Sequence, residues 1–343
     1  MNPDKDIDTI MDEEKFSEIG RVKAIEKLFE GTGYSPSEYC RFETAGKSYP
    51  VSVSKAMLEG TDFDLTYFPL KHLGYKSVIC ATGEIYACMA HPRTLSVTLG
   101  ISAKLDFRQI RELWSGMVTA AKEHGYKELA LDLIPSRNGL CIAVSASGET
   151  GFLTSKRRPE GKSMDLICIS DNLGAAFMGM QVLEREKRRF EKTDDDSAQP
   201  DLTEYRHLVG AYLKPGLNPA TVSQLEDAEI IPSYGYFVTR GLSDTVKRLS
   251  RDSGLGAKIY VDKIPFPGKM FDLGKEMNID PISAALNGGD DYRLLFTVPI
   301  GKHDRFRHDF QTFDIIGHLA RPETGAVLVT PEGVELPLKA QGW

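Results

Sequence analysis

The chain has 343 residues, of which 41% are hydrophobic and 27% are charged, and its formal net charge is −7. This length gives room for two domains with separate cores, and the acidic balance argues against a general nucleic-acid-binding protein, which would carry a basic excess. The first residues are acidic and polar, unlike a signal peptide, and no apolar run reaches the roughly 20 residues needed to cross a bilayer. We therefore expect a cytoplasmic protein that binds neither nucleic acid nor membrane.

Cysteine and histidine spacing argues against a disulfide-bonded or zinc-binding protein. The cysteines form no CxxC pair, and most of them lie in apolar segments: Cys40, Cys80, Cys88, Cys141 and Cys168. This pattern is typical of reduced, buried thiols in the cytosol. No HExxH motif is present, so a histidine-built metal site is not expected.

The first half of the chain predicts one α/β domain. Apolar residues at helical spacing predict a helix over 14–31, and an amphipathic pattern predicts another over 107–125. The segment 69–90 mixes large apolar residues with glycine and alanine, which indicates a buried helix packed closely against a neighbour. The predicted strands are 48–54, 94–102, 128–134 and 140–149.

A segment rich in lysine, arginine, proline and glycine, 148–161, is the best candidate for a domain boundary. It predicts domains over 1–150 and 151–343. In the second domain we expect strands at 165–170, 233–239, 257–262, 293–298, 313–318 and 325–330. The expected helices are 173–190, 202–213, 221–228, 242–253, 281–286 and 302–310, with an acidic loop at 191–201.

The stretch NGGDDYRLLF, residues 287–296, has the composition of a functional loop. Two glycines free the backbone, Asp290 and Asp291 follow at once, and an apolar run then predicts a strand. That order suits a loop at the mouth of a sheet, where a metal, an amine or a hydroxyl could be held. The alternative is an Asn-Gly turn with a solvated acidic pair.

Four segments together resemble the thiamine-monophosphate kinases (ThiL) of the aminoimidazole-ribonucleotide synthase or PurM-like superfamily. They are LEGTDFDLTYFPLKHLGYKSV (58–78), ISDNLGAAFMGMQVLEREK (169–187), NGGDDYRLLFTVP (287–299) and LKAQGW (338–343). They stand in the family's order and spacing, so the resemblance spans roughly residues 15–343. It implies a two-domain α/β (α+β) PurM-like fold whose N-terminal domains pair in a homodimer. It also implies that ATP and thiamine phosphate bind between the domains, with Mg²⁺ held by aspartates.

Carried onto this sequence, however, the family's acidic pattern is largely lost. Its early Gly-Asp-Asp loop falls on residues 37–41, which read SEYCR. An aspartate after the first strand falls on Lys55, and the Asp-x-Ser-Asp-Gly motif falls on 237–241, where Phe237 and Arg240 replace both aspartates. At ~4 Å and an effective dielectric near 20, each unit-charge pair is worth about 4 kcal/mol, so a cation at a metal-ligand position strongly disfavours the metal.

Other positions of the family pattern keep a polar residue. The metal-binding aspartate of a helix falls on Glu84, and the aspartate of an ATP-contacting Gly-Gly-Asp loop falls on Asp132, without the glycines. The substrate-side glutamate of the family becomes Asp290, and the last glutamate of that motif becomes Arg293. The resemblance therefore assigns nucleotide or phosphate contacts to Asp132, Arg158 and Thr239, substrate contacts to Asp62, Asp290 and Trp343, and metal contacts to Glu84 and Asp132, with Asp132 also the catalytic candidate. Lys55 and Arg240, the cations at former metal-ligand positions, are further candidates for phosphate contacts.

Three hypotheses follow. In the first, the chain is a diverged, non-catalytic relative that binds a phosphorylated small molecule or nucleotide directly through Lys55, Arg240, Arg158 and Arg293. In the second, it is an ATP- and Mg²⁺-dependent kinase with a rebuilt site that uses Glu84, Asp132 and Asp290. In the third, it is a structural or regulatory partner that pairs through its N-terminal domain. Plain alternatives also exist, because Glu84 suits a salt bridge and Asp132 suits a turn cap.

Overall fold

A computed structural model of the chain describes residues 22–23, 26, 40–41, 48–192 and 202–340. Residues 22, 23 and 26 are helical, as predicted for 14–31, and the remainder of that segment lies outside the described residues. The same holds for most of the predicted loops at 37–41 and 191–201, and for Trp343.

The first half of the chain forms a five-stranded sheet with the order β1-β2-β5-β3-β4. Its strands are β1 (Cys40–Arg41), β2 (Ser48–Leu58), β3 (His91–Ser102), β4 (Glu128–Ser136) and β5 (Cys141–Gly151). The pairs β2–β5 and β5–β3 are antiparallel, whereas β3 and β4 run parallel. All four strands predicted here are confirmed, and β4 continues through Pro135 because an edge strand tolerates proline.

The second half forms a seven-stranded sheet with the order β12-β11-β8-β10-β6-β9-β7. Its strands are β6 (Leu166–Ser170), β7 (Gly235–Val238), β8 (Gly256–Tyr260), β9 (Arg293–Val298), β10 (Phe313–Ala320), β11 (Ala326–Val329) and β12 (Glu335–Pro337). The six predicted strands are confirmed, and β12 was not predicted. Two sheets fit the predicted two-domain organisation, while the division at residue 150 stays a prediction.

The helices are α1 (Leu70–Ala87), α2 (Phe107–Glu123), α3 (Phe152–Lys156), α4 (Ala175–Phe190), α5 (Arg206–Leu213), α6 (Thr221–Asp227), α7 (Leu242–Ser253), α8 (Met270–Met277), α9 (Pro281–Asn287) and α10 (His303–Asp309). The short helix α3 lies inside the predicted boundary segment, and α8 was not predicted. Across the described residues, no helix combines the length and apolar character needed to span a membrane.

Helix α1 lies between the two sheets and is buried throughout from Leu73 to Ala87. It contacts β2 and β5 on one side and β7 and β9 on the other. Its glycines permit this close packing, since a β-carbon at Gly74 would lie 2.0 Å from the carbonyl oxygen of Leu113 on α2. The prediction of a buried helix packed closely against a neighbour is therefore confirmed, and α1 is the element around which the candidate site is built.

Candidate functional site

One face of α1 carries three ionisable side chains at one-turn intervals: Lys76, Cys80 and Glu84. Residues four apart on a helix lie one above the other, so these groups form a row. Burial raises the pKa of the Cys80 thiol to about 11. The row faces β2 of the first sheet and the loop before β9 of the second, so we call it and its partners Lys55, Asp62, Arg240 and Asp290 the α1 site.

At one end of the row, Lys55 of β2 forms an ion pair with Glu84. The Lys55 Nζ atom lies 2.8 Å from Glu84 Oε1, and the two side chains are 19% and 4% exposed. Lys55 lies on the same, helix-facing side of the strand as the buried residues Val53 and Met57. A carboxylate this buried requires a cation or hydrogen-bond donors, and Lys55 supplies that cation.

At the other end, the ammonium of Lys76 is enclosed by a carboxylate and aromatic rings. Its Nζ atom lies 2.8 Å from Asp290 Oδ2, and the Lys76 side chain is fully buried. The same atom lies 3.9 Å from the centroid of the Tyr212 ring, 5.3 Å from that of Phe68 and 5.4 Å from that of Tyr292. Cation–π attraction therefore adds to the ion pair.

The loop that carries Asp290 is fixed by an unusual backbone. Gly289, Asp290 and Tyr292 all have positive φ angles, of 78°, 60° and 53°. The amide of Asp290 donates to the carbonyl of Thr239 at 2.8 Å, and the amide of Tyr292 donates to that of Val238 at 2.9 Å. These bonds hold the loop against the end of β7, so the position of the Asp290 carboxylate is set by the backbone.

The two adjacent aspartates of this loop have different roles. Asp291 turns inward, is 2% exposed, and accepts the amide of Gly174 at 2.9 Å with both carboxylate oxygens. It also accepts the amide of Ala176 at 3.4 Å, so it caps the N-terminus of α4. Burial raises the pKa of Asp291 to about 7, against the lowering effect of these hydrogen bonds. Of the two aspartates, only Asp290 belongs to the α1 site, and its partner is the ammonium group of Lys76.

Asp62 and Arg240 complete the charged group around Asp290. Asp62 is half-buried, and burial raises its pKa above the ordinary value. Its Oδ2 atom accepts the amide of Leu58 at 2.7 Å, which lowers the pKa, while Asp290 raises it and Arg240 and Lys76 lower it. Arg240 is exposed at this end of the site. It is thus a solvent-facing cation near the Asp62 carboxylate.

Phe237 fills space against α1. Its side chain is fully buried, and its ring centroid lies 5.6 Å from that of Tyr292. A β-carbon added at Gly83 would lie 2.2 Å from the Phe237 ring, so the ring rests directly on the helix backbone. Where the resemblance expects a metal-binding aspartate, the chain therefore has a packed apolar side chain.

Three predicted residues lie apart from this group. Arg158 donates from Nη2 to the carbonyl oxygen of Cys88 at 2.8 Å, near the end of α1. Arg293 is almost buried and lies 3.2 Å from Asp171 Oδ2. Asp132 is exposed on β4, and the pairing β2-β5-β3-β4 separates it from Lys55 by three strand spacings, about 14 Å. The structure thus joins Lys55 with Glu84, and Asp62 with Asp290 and Arg240.

The family resemblance implies a multi-magnesium site, and the described residues can be compared with what such a site requires. Mg²⁺ requires several oxygen ligands in near-octahedral geometry. Within the described ranges, no three acidic, histidine or cysteine side chains are placed to hold a metal ion together. Glu84 and Asp290, the carboxylates along α1, each already have a lysine partner at 2.8 Å.

Sequence reasoning missed Lys76 and Tyr292 as members of the site. A lysine inside an otherwise apolar helix was the available signal for Lys76, because a buried ammonium needs a specific partner. Tyr292 follows two aspartates and opens a strand, a position that gave no indication of its contacts with Lys76 and Phe237.

No family model matches the chain, but individual relatives do. The thiamine-monophosphate kinase of Aquifex aeolicus is 22% identical over 289 residues, which cover 83% of this chain and 87% of that protein. The thiamine-monophosphate kinase of Pyrococcus horikoshii is 26% identical over 274 residues, 79% and 78% of the two chains.

Solved structures extend this similarity to the fold. AaThiL complexed with AMPPCP and TMP has a TM-score of 0.76 at 19% identity, over 96% of this chain and 98% of that one. The hydrogenase maturation protein HypE in complex with ATP has a TM-score of 0.62 at 16% identity, over 92% and 91%. The chain therefore has the mixed α/β, two-domain fold of the PurM-like proteins. Within that class it is ThiL-like in both sequence and fold, which confirms the resemblance drawn from the four segments.

Proposed function

We propose that the chain is a diverged thiamine-monophosphate kinase-like protein whose Mg²⁺-dependent phosphoryl transfer has been lost or much reduced. In this proposal it binds a phosphorylated ligand or nucleotide at the α1 site. The observation that carries the proposal is the ion pair between Lys55 and Glu84, 2.8 Å apart. Both positions correspond to metal-binding carboxylates in the family, and here one of them neutralises the other.

Phe237 supports the same conclusion independently of charge. To bind a cation at its position, the chain would have to replace a fully buried ring that packs against Gly83 and Tyr292. The loss of the metal ligand is therefore accompanied by a repacked interior. A single substitution could reverse a change of charge. The buried Phe237 ring could not be replaced so simply, because it packs against several residues.

Arg240 and Lys55 supply the cations that a phosphate would meet. Arg240 is exposed beside Asp62, and Lys55 keeps 19% of its side chain exposed. Fixed guanidinium and ammonium groups bind phosphate by charge-assisted hydrogen bonds without a metal. A cytoplasmic location is part of the proposal, supported by the free thiols of Cys80, Cys141 and Cys168.

Isothermal titration of the purified full chain with ATP and with thiamine phosphate, each in Mg²⁺ and in EDTA, tests the proposal. We expect binding that persists in EDTA, together with no ADP formation above a protein-free control. Arg240→Gln should weaken the binding about tenfold or more, and Arg321→Gln, at an exposed arginine elsewhere, should leave it unchanged. Binding only with Mg²⁺, or absence of binding in both buffers, would overturn the proposal.

An active kinase is the second candidate, favoured by the thiamine-monophosphate kinases among its relatives. Such an enzyme would use Glu84, Asp132 and Asp290. Mg²⁺-dependent ATP turnover that Asp132→Asn abolishes would establish it. The same variant should leave the melting temperature unchanged, since among the described residues the exposed Asp132 side chain bonds only to the neighbouring amide of Leu133, at 2.9 Å.

A homodimer that pairs through the N-terminal half is also part of the proposal. The outer face of the five-stranded sheet lies opposite the helices, and Leu58 and Ile134 on this side are 47% and 48% exposed. Leu131 and Leu133 on the edge strand β4 are 41% and 52% exposed. Exposed apolar residues gathered on one sheet favour a protein partner, and a second copy satisfies this requirement symmetrically.

A further inference from the structure

An open cavity of about 530 Å³ lies at the ends of three strands of the seven-stranded sheet. Its wall is formed by the end of β6, the starts of β9 and β10, and the segment from the loop after α5 into α6. Most lining side chains are polar, including the guanidinium of Arg293, the amides of Asn218, Gln224 and Gln311, and the hydroxyls of Ser170 and Thr312. Its volume lies within the range of small-molecule sites, but its lining suits a polar ligand.

The cavity exists because two neighbouring strands diverge. The ladder between β6 and β9 ends at the pair Ile169–Leu295. Beyond it, the Ser170 hydroxyl accepts the amide of Leu294 at 2.9 Å in place of a backbone carbonyl. Asp171 then adopts a left-handed conformation with φ of 57°, which turns the chain away. The side chain of Arg293 reaches this turn, where it contacts Asp171 and the carbonyl oxygen of Asn172.

Arg293 is a nearly buried cation with unused hydrogen-bond donors. Its side chain is 8% exposed, Nε donates to the carbonyl oxygen of Asn172 at 3.1 Å, and Nη2 lies 3.2 Å from Asp171 Oδ2. A guanidinium has five N–H groups, and the others find no acceptor within the described part of the chain. Since Arg293 also lines the cavity, these donors are available to a ligand.

The charge of Arg293 is only partly balanced by the protein. The Asp171 side chain is 57% exposed, and its Oδ1 atom already accepts the amide of Asn172 at 2.7 Å. Asp291, another nearby carboxylate, caps α4, and the Asp314 carboxylate on the cavity wall is exposed like that of Asp171. An exposed carboxylate is a weak counter-ion because water screens it. An anion that enters the cavity would therefore complete the coordination of Arg293.

We propose that this cavity binds a small hydroxylated oxyanion, in which a phosphate or carboxylate group is attached to a polyol. Arg293 receives the anionic group through charge-assisted hydrogen bonds, for which a fixed guanidinium is well suited. The hydroxyl groups of the ligand bond to Gln311, Thr312 and the exposed carboxylate of Asp314. This site is separate from the α1 site, because none of the residues that line the cavity belongs to that site.

Titration calorimetry of the full chain with four probes tests the site: glycerol 3-phosphate, glycerate, inorganic phosphate and glycerol. We expect saturable binding of glycerol 3-phosphate or glycerate, and the stronger of the two identifies the anionic group. Inorganic phosphate should bind more weakly because it lacks the polyol, and glycerol should not bind. Arg293→Gln should weaken the best probe about tenfold or more, and Arg321→Gln should not change it.

A second variant covers the case in which Arg293→Gln does not fold. Gln311 and Thr312 are exposed, so their combined replacement by alanine should keep the melting temperature and still weaken the best probe severalfold. Binding that is unaffected by either variant, or no binding of any anionic probe, would overturn the proposal. Because Arg240→Gln acts on the α1 site alone, it should leave this binding unchanged, which separates the outcome from that of the proposed function.

Discussion

The ring of Phe237 occupies the space that a side chain at residue 83 would need, and Gly83 is the residue that leaves it free. A β-carbon there would lie 2.2 Å from the ring, well inside van der Waals contact. Gly83 lies on α1 in the first half of the chain, and Phe237 lies on β7 of the seven-stranded sheet in the second half. Their complementarity is a direct contact between the two halves of the chain.

We predict that Gly83→Ala destabilises the protein by about 1–3 kcal/mol, because overpacking at a buried site outweighs the better helix propensity of alanine. Urea unfolding measures the change. Gly210→Ala is the matched control, since Gly210 lies in α5 with no atom within 4 Å of an added β-carbon, and it should be neutral or slightly stabilising. Adding Phe237→Leu should recover part of the loss, and an unchanged deficit in that double variant would contradict the contact.

Lys76 and Asp290 should be strongly coupled in a double-mutant cycle. Asp290→Asn leaves the fully buried ammonium of Lys76 without its carboxylate, so the free energy of unfolding should fall by about 1–3 kcal/mol. Lys76→Met should cost less, because the Asp290 side chain is 33% exposed and can be hydrated. The double variant should lose less than the sum of the two, and strict additivity would show that the pair does not interact.

Lys55→Asp should make the melting temperature of the protein depend on Mg²⁺. It places a second carboxylate beside Glu84, so in EDTA the two like charges should lower the melting temperature. Mg²⁺ should restore part of this loss in the variant and leave the natural chain unchanged. Lys55→Met controls for loss of the ion pair alone and should not respond to Mg²⁺. A Mg²⁺ response of the natural chain would contradict the proposed loss of the metal site.

Asp291 should give the protein a pH-dependent stability. Burial raises its pKa from the ordinary 3.8 to about 7 in the folded chain, so the folded state binds the proton more tightly than the unfolded state. The resulting stabilisation is present at low pH and is lost as the pH rises through this interval, by roughly 1.4 kcal/mol per pH unit. At each pH, the free energy of unfolding of the Asp291→Asn variant is subtracted from that of the natural chain, and the difference isolates this contribution. A pH-independent difference would contradict it.

Ile134→Lys should disrupt self-association through the five-stranded sheet. Ile134 is 48% exposed on the face opposite the helices, where a buried lysine would be costly between two copies. Light scattering coupled to size exclusion should show the natural chain as a dimer and the variant as a monomer. Phe107→Lys, at a residue that is 80% exposed at the start of α2, should remain a dimer. A monomeric natural chain would contradict the proposed pairing.

The sequence was informative where a local pattern determined the structure. Helix α1 could be predicted as buried because its apolar residues run on every side, with small residues where the backbone approaches α2. Helix α8 was missed because it has only two turns and its N-cap residue, Lys269, makes no side-chain capping hydrogen bond. Within the site, the sequence shows a lysine at position 55 where the family has an aspartate. It does not show that this lysine contacts Glu84, which lies 29 positions away. Which side chains meet across such distances depends on packing that no local pattern encodes.

The position of α1 has a consequence for how the molecule folds. Its buried residues belong to one continuous apolar cluster with those of both sheets. A helix shared in this way cannot leave one core without exposing the other, so the two halves should melt together in a single cooperative transition. It also means that the N-terminal half, released on its own, would present the bare flank of α1 to water. Although the chain has two sheets, we expect it to unfold as one unit.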